Sequence, residues 1–353
     1  MSDSRPRVAH RQLVVRPEWL ALRTEEILDP GLPIVDAHHH LWIRDGVPYL
    51  LPELLADLNT GHNIVATVFM ECKAMYRRDA TAAMAPVGEV EFVNGIAAMS
   101  ASGSFGNTRV CAGIVGYADL NLGAAVRPVL EAEMVAGGGR FRGVRNISAW
   151  HALPEARGSS VDPPPDVLTR PSFGEGLRVL TSLGFTFDAW LYHTQLPELI
   201  AVARTMPEAT IILNHVGGAI GIGPYAGQRD AVFKEWRASM LQLAKLPNVY
   251  VKLGGLGMRL FGFDVHEGAL PPTSEQLASA WRPYIETCIE AFGAQRAMFE
   301  SNFPVDKGSC GYAALWNAFK RITAGTSAED RAALFSGTAM RVYRLGDVSR
   351  PAR

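Results

Sequence analysis

Val35-Asp36-Ala37-His38-His39-His40-Leu41-Trp42 joins a short apolar run to three consecutive imidazoles. Side chains alternate faces along a strand, so the spacing puts His38 and His40 on one face and His39 on the other. Two imidazoles on one face at a strand end suit a metal site or an acid–base site. The rest of the chain then has to bring further partners to the same place.

Short apolar runs recur outward from this stretch. They are Ile34 to Asp36, Ile64 to Glu71, Cys111 to Tyr117, Gly143 to Ile147, Thr186 to Leu191, Thr210 to Leu213, Val249 to Leu253 and Arg296 to Phe299. All are rich in Val, Ile and Phe and apolar on both faces, the pattern of parallel strands covered by helices. Helical segments fall between them, among them Tyr49 to Leu58, Leu122 to Ala136, Phe173 to Leu183, Gln195 to Thr205, Asp230 to Leu246 and Ser274 to Phe292. Ala328 to Phe335 and a segment around Met340 close the chain. Eight strand–helix units predict an α/β fold of the (β/α)8 TIM-barrel type, with a doubly wound sheet as the alternative.

Four connections are too long for plain turns: Tyr76 to Thr108, Trp150 to Ser172, Gly217 to Arg229 and Arg259 to Thr273. Each follows the C-terminal end of a predicted strand, where a barrel builds its active face. Residues 31–353 read as a single barrel domain. Residues 1–30 read as an N-terminal extension packing on it, with a short hairpin from Gln12 to Arg23.

Composition excludes several classes of function. Lys plus Arg is 34 and Asp plus Glu is 35, so no basic excess marks a nucleic-acid surface. No apolar run reaches membrane-spanning length. Cys72, Cys111, Cys288 and Cys310 have no paired spacing and read as free thiols of a reducing compartment, which predicts a cytoplasmic protein. The predicted partner is a small-molecule substrate. No Gly-rich loop has nucleotide-binding spacing, and no serine elbow has a matching acid and histidine.

The remaining polar residues fall at strand ends. His193 ends the fifth run, His215 follows the sixth, and Asn302 follows the eighth in Glu300-Ser301-Asn302-Phe303-Pro304. If the first strand neighbours the eighth, all converge at one mouth with His38 and His40. Three histidines, His38, His40 and His193, then form a catalytic metal arrangement for zinc, with manganese as the alternative. His215 is placed to move a proton or hold a water. Arg145, inside the apolar run Phe141-Arg142-Gly143-Val144-Arg145, either clamps a substrate carboxylate or pairs with Glu71 or Glu300. Glu71, Lys73 and Tyr76 follow the second strand as substrate-binding candidates, with Glu300 as a further one, while Lys307 is a weaker cation for the same anion. His39 reads as structural, and His62, His151 and His266 show no alignment with the site.

At these residues the chain resembles the second amidohydrolase group of the amidohydrolase superfamily, which holds lactonases and decarboxylases. The matching stretches are VDAHHHLW at 35–42, FRGVRN at 141–146, the His193 strand end, LNHVGG at 213–218 and FESNFP at 299–304. The resemblance implies a distorted barrel, one divalent metal on His38, His40 and His193, acid–base work by His215, substrate binding by Arg145, and a homodimer. The group usually carries Ser-Asp-Trp-Pro after the last strand, with the aspartate as metal ligand and general base, whereas this chain has Ser301-Asn302-Phe303-Pro304. Asparagine cannot take that proton. Asn302 then binds or orients while His215 or Glu300 acts as base, or the enzyme works without metal, or the site is inactive. The surviving histidines favour the first account.

Hydrolysis of a carboxylated lactone by an activated water, with catalytic His215, Asn302 and Arg145, is the leading expectation. Non-oxidative decarboxylation of an aromatic or unsaturated acid is the second. A non-catalytic barrel that binds a small anion is the third.

Overall fold

A computed structural model describes residues 12–159 and 161–346. Its strands are β1 (Ile34–His39), β2 (Trp42–Arg44), β3 (Val47–Tyr49), β4 (Ile64–Met70), β5 (Arg109–Gly116), β6 (Phe141–Ile147), β7 (Thr186–Trp190), β8 (Ile211–Leu213), β9 (Val249–Leu253) and β10 (Ala297–Phe299). Eight of them form one parallel sheet in the order β1-β4-β5-β6-β7-β8-β9-β10, and β2 and β3 form a separate hairpin. Sequential parallel neighbours joined by helices are the (β/α)8 pattern that the apolar runs predict.

The barrel is nearly closed. The seam between β10 and β1 carries a single bridge between His39 and Phe303. Two backbone bonds hold it, from Asn302 N–H to the His38 carbonyl (2.9 Å) and from His40 N–H to the Phe303 carbonyl (2.8 Å). The two stretches richest in candidate site residues are therefore stitched to each other at the mouth.

Alternation along β1 is interrupted. Val35 and Ala37 pack inside the barrel with Val68, Ile212 and Met298. Asp36 turns outward, where its carboxylate accepts from Ser301 Oγ (2.6 Å) and Tyr312 Oη (3.0 Å). The pairing register then slips between Asp36 and His39. Such a bulge re-aims the side chains beyond it, and it brings His38 to the interior beside Ala37 while His39 packs outward on Thr67 and Phe69.

The base of the barrel is filled from the C-terminus. Ala339, Val342, Tyr343 and Leu345 join the interior cluster. The outer layer is a continuous apolar shell between strands and helices, with Trp236, Trp281 and Trp316 fully buried. Ser274–Phe292 starts where the sequence says it should. Thr273 Oγ1 accepts from Gln276 N–H (3.1 Å) and the Gln276 side chain accepts from Thr273 N–H (2.8 Å), a reciprocal cap.

Three details differ from the sequence reading. The connection Tyr76 to Thr108 contains a helix, Val87–Ala101. Its apolar residues are not confined to one stripe, so periodicity does not reveal it. A further helix, Tyr312–Ile322, covers the seam. Residues 12–23 form no hairpin but one helical turn, Pro17–Leu20, begun by a proline whose fixed φ suits a first helical turn. This segment and the residues that follow it are tied to the barrel through Trp19 Nε1 to the Gly268 carbonyl (3.0 Å) and Leu28 N–H to Asn317 Oδ1 (2.9 Å). No described helix is long and apolar enough to cross a membrane.

Candidate metal centre and active site

His38, His215 and Glu300 are buried at the barrel mouth with one ligand atom from each within 4.8 Å of the others. Glu300 follows β10 and sits between the two rings. Its Oε1 accepts from His215 Nδ1 (2.7 Å) and from His215 N–H (3.1 Å). Its Oε2 lies 2.8 Å from His38 Nδ1, an electrostatic contact without hydrogen-bond alignment. One carboxylate thus addresses Nδ1 of both imidazoles and leaves each Nε2 directed elsewhere. A carboxylate behind a ligating histidine fixes its tautomer and orientation in the same way.

The Nε2 side of His38 is the more unusual. It lies 3.2 Å from His40 Nε2, and His40 Nε2 lies 3.3 Å from Asn302 Oδ1. His40 Nδ1 donates to the Met70 carbonyl at 2.8 Å, so its Nε2 carries a lone pair. Asn302 Nδ2 donates to Asp306 Oδ1 at 2.8 Å, so the amide presents its oxygen to His40. Arg145 Nη1 points at His38 Nε2 from 3.4 Å, which suits a lone pair there too. Lys252 Nζ also approaches His38 Nδ1, at 3.5 Å against 2.8 Å for the carboxylate, so Nδ1 stands between an ammonium and a carboxylate, and it is the Arg145 N–H that favours the lone pair on Nε2. With the proton of each ring on Nδ1, three acceptors face one another with no proton to share. Burial holds both histidines well below the ordinary histidine pKa, which works against a shared imidazolium. A group of buried lone pairs is stabilised by a cation, and two imidazoles with oxygen donors are a fitting set for a divalent metal.

Burial sets the other protonation states. It pushes the Glu300 carboxyl up to about 8, opposed by Lys252 and the His215 N–H. His215 is driven well down, by burial first and then by Arg145 and Lys252. Asp306 rises to about 8 through burial, although the Gly257 N–H and the Asn302 amide both donate to it.

The backbone is strained where these groups meet. His215, Val216 and Asn302 have φ of 53°, 46° and 56°. Asparagine tolerates this region and a β-branched valine does not, at a cost of about 1–3 kcal/mol per strained residue. Gly254 and Gly255 leave the room: a Cβ on Gly255 would overlap the His215 ring, and one on Gly254 the Glu300 backbone.

Arg145 is engaged by protein. Its Nε donates to Glu71 Oε1 (2.8 Å) and its Nη2 to the Glu71 carbonyl. Of the two readings of this arginine, the Glu71 ion pair is present, and the guanidinium also lines the pocket. That pocket is walled by His40, Trp42, Arg44, Lys73, Trp190, His215, Arg259 and Asn302, and by Gln12 and Leu13 of the N-terminal segment. Arg44 is stacked 3.6 Å above the Trp42 ring, while Lys73 and Arg259 are exposed. The pocket is cationic on balance, Glu71 being its single lining carboxylate among the described residues.

Other residues singled out in the sequence lie further off. His193 joins neither group: Ile220 N–H donates to its Nδ1 (3.2 Å), its ring abuts Tyr225, and its Nε2 is buried without a partner. Tyr76 is half-buried, with its hydroxyl unpartnered, and does not line the main pocket. Lys307 is paired with Asp57 at 2.7 Å. Two interior residues escaped the sequence reading. Lys252 in Val249-Tyr250-Val251-Lys252-Leu253 and Asp188 in Phe187-Asp188-Ala189 pair at 2.9 Å, with the lysine against His38. The signal that singled out Arg145, a charge inside an apolar strand, applies equally to both.

Comparison with known proteins places this geometry. Residues 35–345 match the amidohydrolase family model. An uncharacterized protein, y4mH, of Sinorhizobium fredii is 34% identical over 336 residues, covering 89% of this chain and 99% of its own. L-fucono-1,5-lactonase of Burkholderia multivorans is 26% identical over 329 residues, covering 88% of this chain and 96% of its own. Among solved structures, an amidohydrolase from Burkholderia multivorans with bound zinc superposes with a TM-score of 0.66 at 25% identity, over 89% of this chain and 99% of the other.

Proposed function

This chain belongs to the amidohydrolase family and is a metal-dependent hydrolase, and from that premise we propose that it opens a small, carboxylated lactone. The observation that carries the reading is the set of converging acceptors, His38 Nε2, His40 Nε2 and Asn302 Oδ1, at the floor of a cationic pocket. Relatives that hydrolyse L-fucono-1,5-lactone and L-rhamnono-γ-lactone by name support a lactone ring as the substrate.

His38 and His40 would hold the metal with Asn302, while Glu300 and His215 stand beside them. Bound there, a divalent cation, zinc or manganese, supplies Lewis acidity that lowers the pKa of water and polarises a carbonyl. His215 is the general base. Its Nδ1 is committed to Glu300, so Nε2 is free to take the proton of the attacking water. Glu300 then stabilises the imidazolium across 2.7 Å, as the acid of a hydrolytic triad does. Arg145 Nη1 faces the same space and stabilises negative charge developing on the carbonyl oxygen. His215, now protonated, returns the proton to the ring oxygen as the acyl bond breaks, giving a hydroxy acid. Lys73 at the rim attracts the substrate carboxylate, with Arg145 as a further contact.

The test is metal content together with turnover. Protein purified without chelator should carry about one equivalent of metal. It should release acid from a panel of sugar lactones and carboxylated lactones without evolving carbon dioxide. Gas evolution from hydroxylated aromatic acids would move the reading to decarboxylation. A metal-free protein with no turnover on either panel would leave a binding barrel.

A further inference from the structure

We propose that Asp306 is a positioning residue that selects which end of the Asn302 amide faces the histidines, so that asparagine serves here only in company with this aspartate. The inference rests on the metal reading above and goes beyond it by assigning a role to a residue outside the pocket. An asparagine side chain is ambiguous by itself: rotation by 180° exchanges an acceptor for two donors. The choice is made by neighbours.

Here the neighbour is one buried carboxylate. Asp306 Oδ1 accepts from Asn302 Nδ2 at 2.8 Å, and Asp306 Oδ2 accepts from Gly257 N–H at 2.8 Å. Each oxygen accepts from an N–H, and a proton on either would point at that donor, so the carboxyl holds the Asn302 NH2 toward it rather than the Asn302 oxygen. The backbone reinforces the arrangement, with Asp306 N–H bonded to the Asn302 carbonyl at 3.1 Å. Asn302 Oδ1 is thereby turned to His40 Nε2, itself a lone pair because His40 Nδ1 donates to Met70. A flipped amide would instead donate to His40 Nε2 and satisfy it, and the group of acceptors would no longer call for a cation.

Hydrogen-bond direction then predicts a swap. Asp306→Asn must keep an oxygen on Gly257 N–H, so its NH2 meets Asn302, and Asn302 flips to present NH2 to His40. Asn302→Asp removes the amide donor and sets two carboxyls 2.8 Å apart, which can meet only by holding a proton between them. Combining Asn302→Asp with Asp306→Asn restores every direction. The new amide at position 306 donates to the new carboxylate at position 302, whose other oxygen faces His40.

The experiment uses the full chain and two probes, Zn2+ alone and Mn2+ alone, added to chelator-stripped, desalted protein. Affinity is read by competition with a chromophoric chelator, and folding by circular dichroism. D306N and N302D should each bind about 10–100-fold more weakly than wild type, the usual range for a lost outer partner of a ligand. The double variant N302D/D306N should return to within about threefold of wild type, a rescue that a merely structural aspartate would not give. D306N binding like wild type, or a double variant no better than its singles, overturns the proposal. If D306N does not fold, N302D against the double variant carries the same comparison. A wild type that takes up neither ion overturns the metal reading, and this inference with it.

Discussion

Lys252 Nζ lies 2.9 Å from Asp188 Oδ1 with both side chains fully buried in the barrel, and the same Nζ lies 3.5 Å from His38 Nδ1. The same Asp188 oxygen accepts from Asn214 Nδ2 (2.9 Å) and from Tyr343 Oη (2.9 Å), which reaches in from the C-terminal plug. Breaking a buried pair by removing one partner leaves an uncompensated charge and costs about 3–5 kcal/mol. Lys252→Met should therefore lower stability by that order, and Tyr343→Phe, which removes one of three donors, by about 1 kcal/mol. Urea unfolding of both variants checks this. A Lys252→Met loss below that of Tyr343→Phe would mean that the pair is not charged in the folded protein.

Glu300 and His215 should behave as one catalytic unit. Glu300→Gln keeps an oxygen for the His215 N–H groups but removes the negative charge, carried as pH rises through about 8, that stabilises the imidazolium. It should lower kcat by about 10²–10⁴-fold with little change in KM, the range of general acid–base catalysis. His215→Asn should cost at least as much, and the double variant no more than the worse single, because coupled residues are not additive. Steady-state kinetics on the best lactone of the panel decides it. A multiplicative double variant would place the two residues in separate steps.

Most of the barrel was legible because buried parallel strands have a strong signal. The eight apolar runs coincide with the eight strands of the sheet. His38 and His40 were legible for a reason that is only half right. Strict alternation puts Asp36 with His38 and His40, whereas the slip after Asp36 sends that carboxylate outward to Ser301 and Tyr312. A bulge has no sequence signature in a run of polar residues. The helix Val87–Ala101 was invisible because apolar residues surround it. Glu300, read as substrate-binding, lies instead between two rings, a placement set by the barrel seam and by Gly254 and Gly255 rather than by local pattern.

Lys73 and Arg145 should separate in their effect on substrates. Lys73 is exposed at the rim, whereas Arg145 is buried against Glu71. Lys73→Ala should raise KM for a carboxylated lactone by about tenfold or more, the value of a hydrogen bond to a charged group, and leave a neutral lactone of the same ring unchanged. Arg145→Lys should lower kcat for both, because a lysine cannot reproduce the fork that holds Glu71 while facing His38. Equal losses on charged and neutral lactones for Lys73→Ala would remove the substrate carboxylate from the proposal.

Two carboxyls behind the site predict the response to alkali. Glu89 and Glu133 are fully buried and make no ion pair among the described residues. Burial pushes Glu89 from 4.5 up to about 8, with Glu71 adding to the shift, and drives Glu133 well above its ordinary value, with Glu89 and Glu71 adding. Folded values above unfolded ones mean that the native state keeps protons the unfolded chain releases. Their contribution is complete below the unfolded value of 4.5 and is lost as pH rises toward about 8 and beyond. Each group contributes a slope of about 1.4 kcal/mol per pH unit inside its window. The buried histidines act in the opposite sense at lower pH, so the wild-type profile mixes both. Glu133→Gln isolates the carboxyl, since its amide never ionises. Its Tm relative to wild type should rise steadily from pH 5 to pH 8, and thermal melts at half-unit steps measure it. A constant offset across that range would show that Glu133 is ionised in the folded protein at neutral pH.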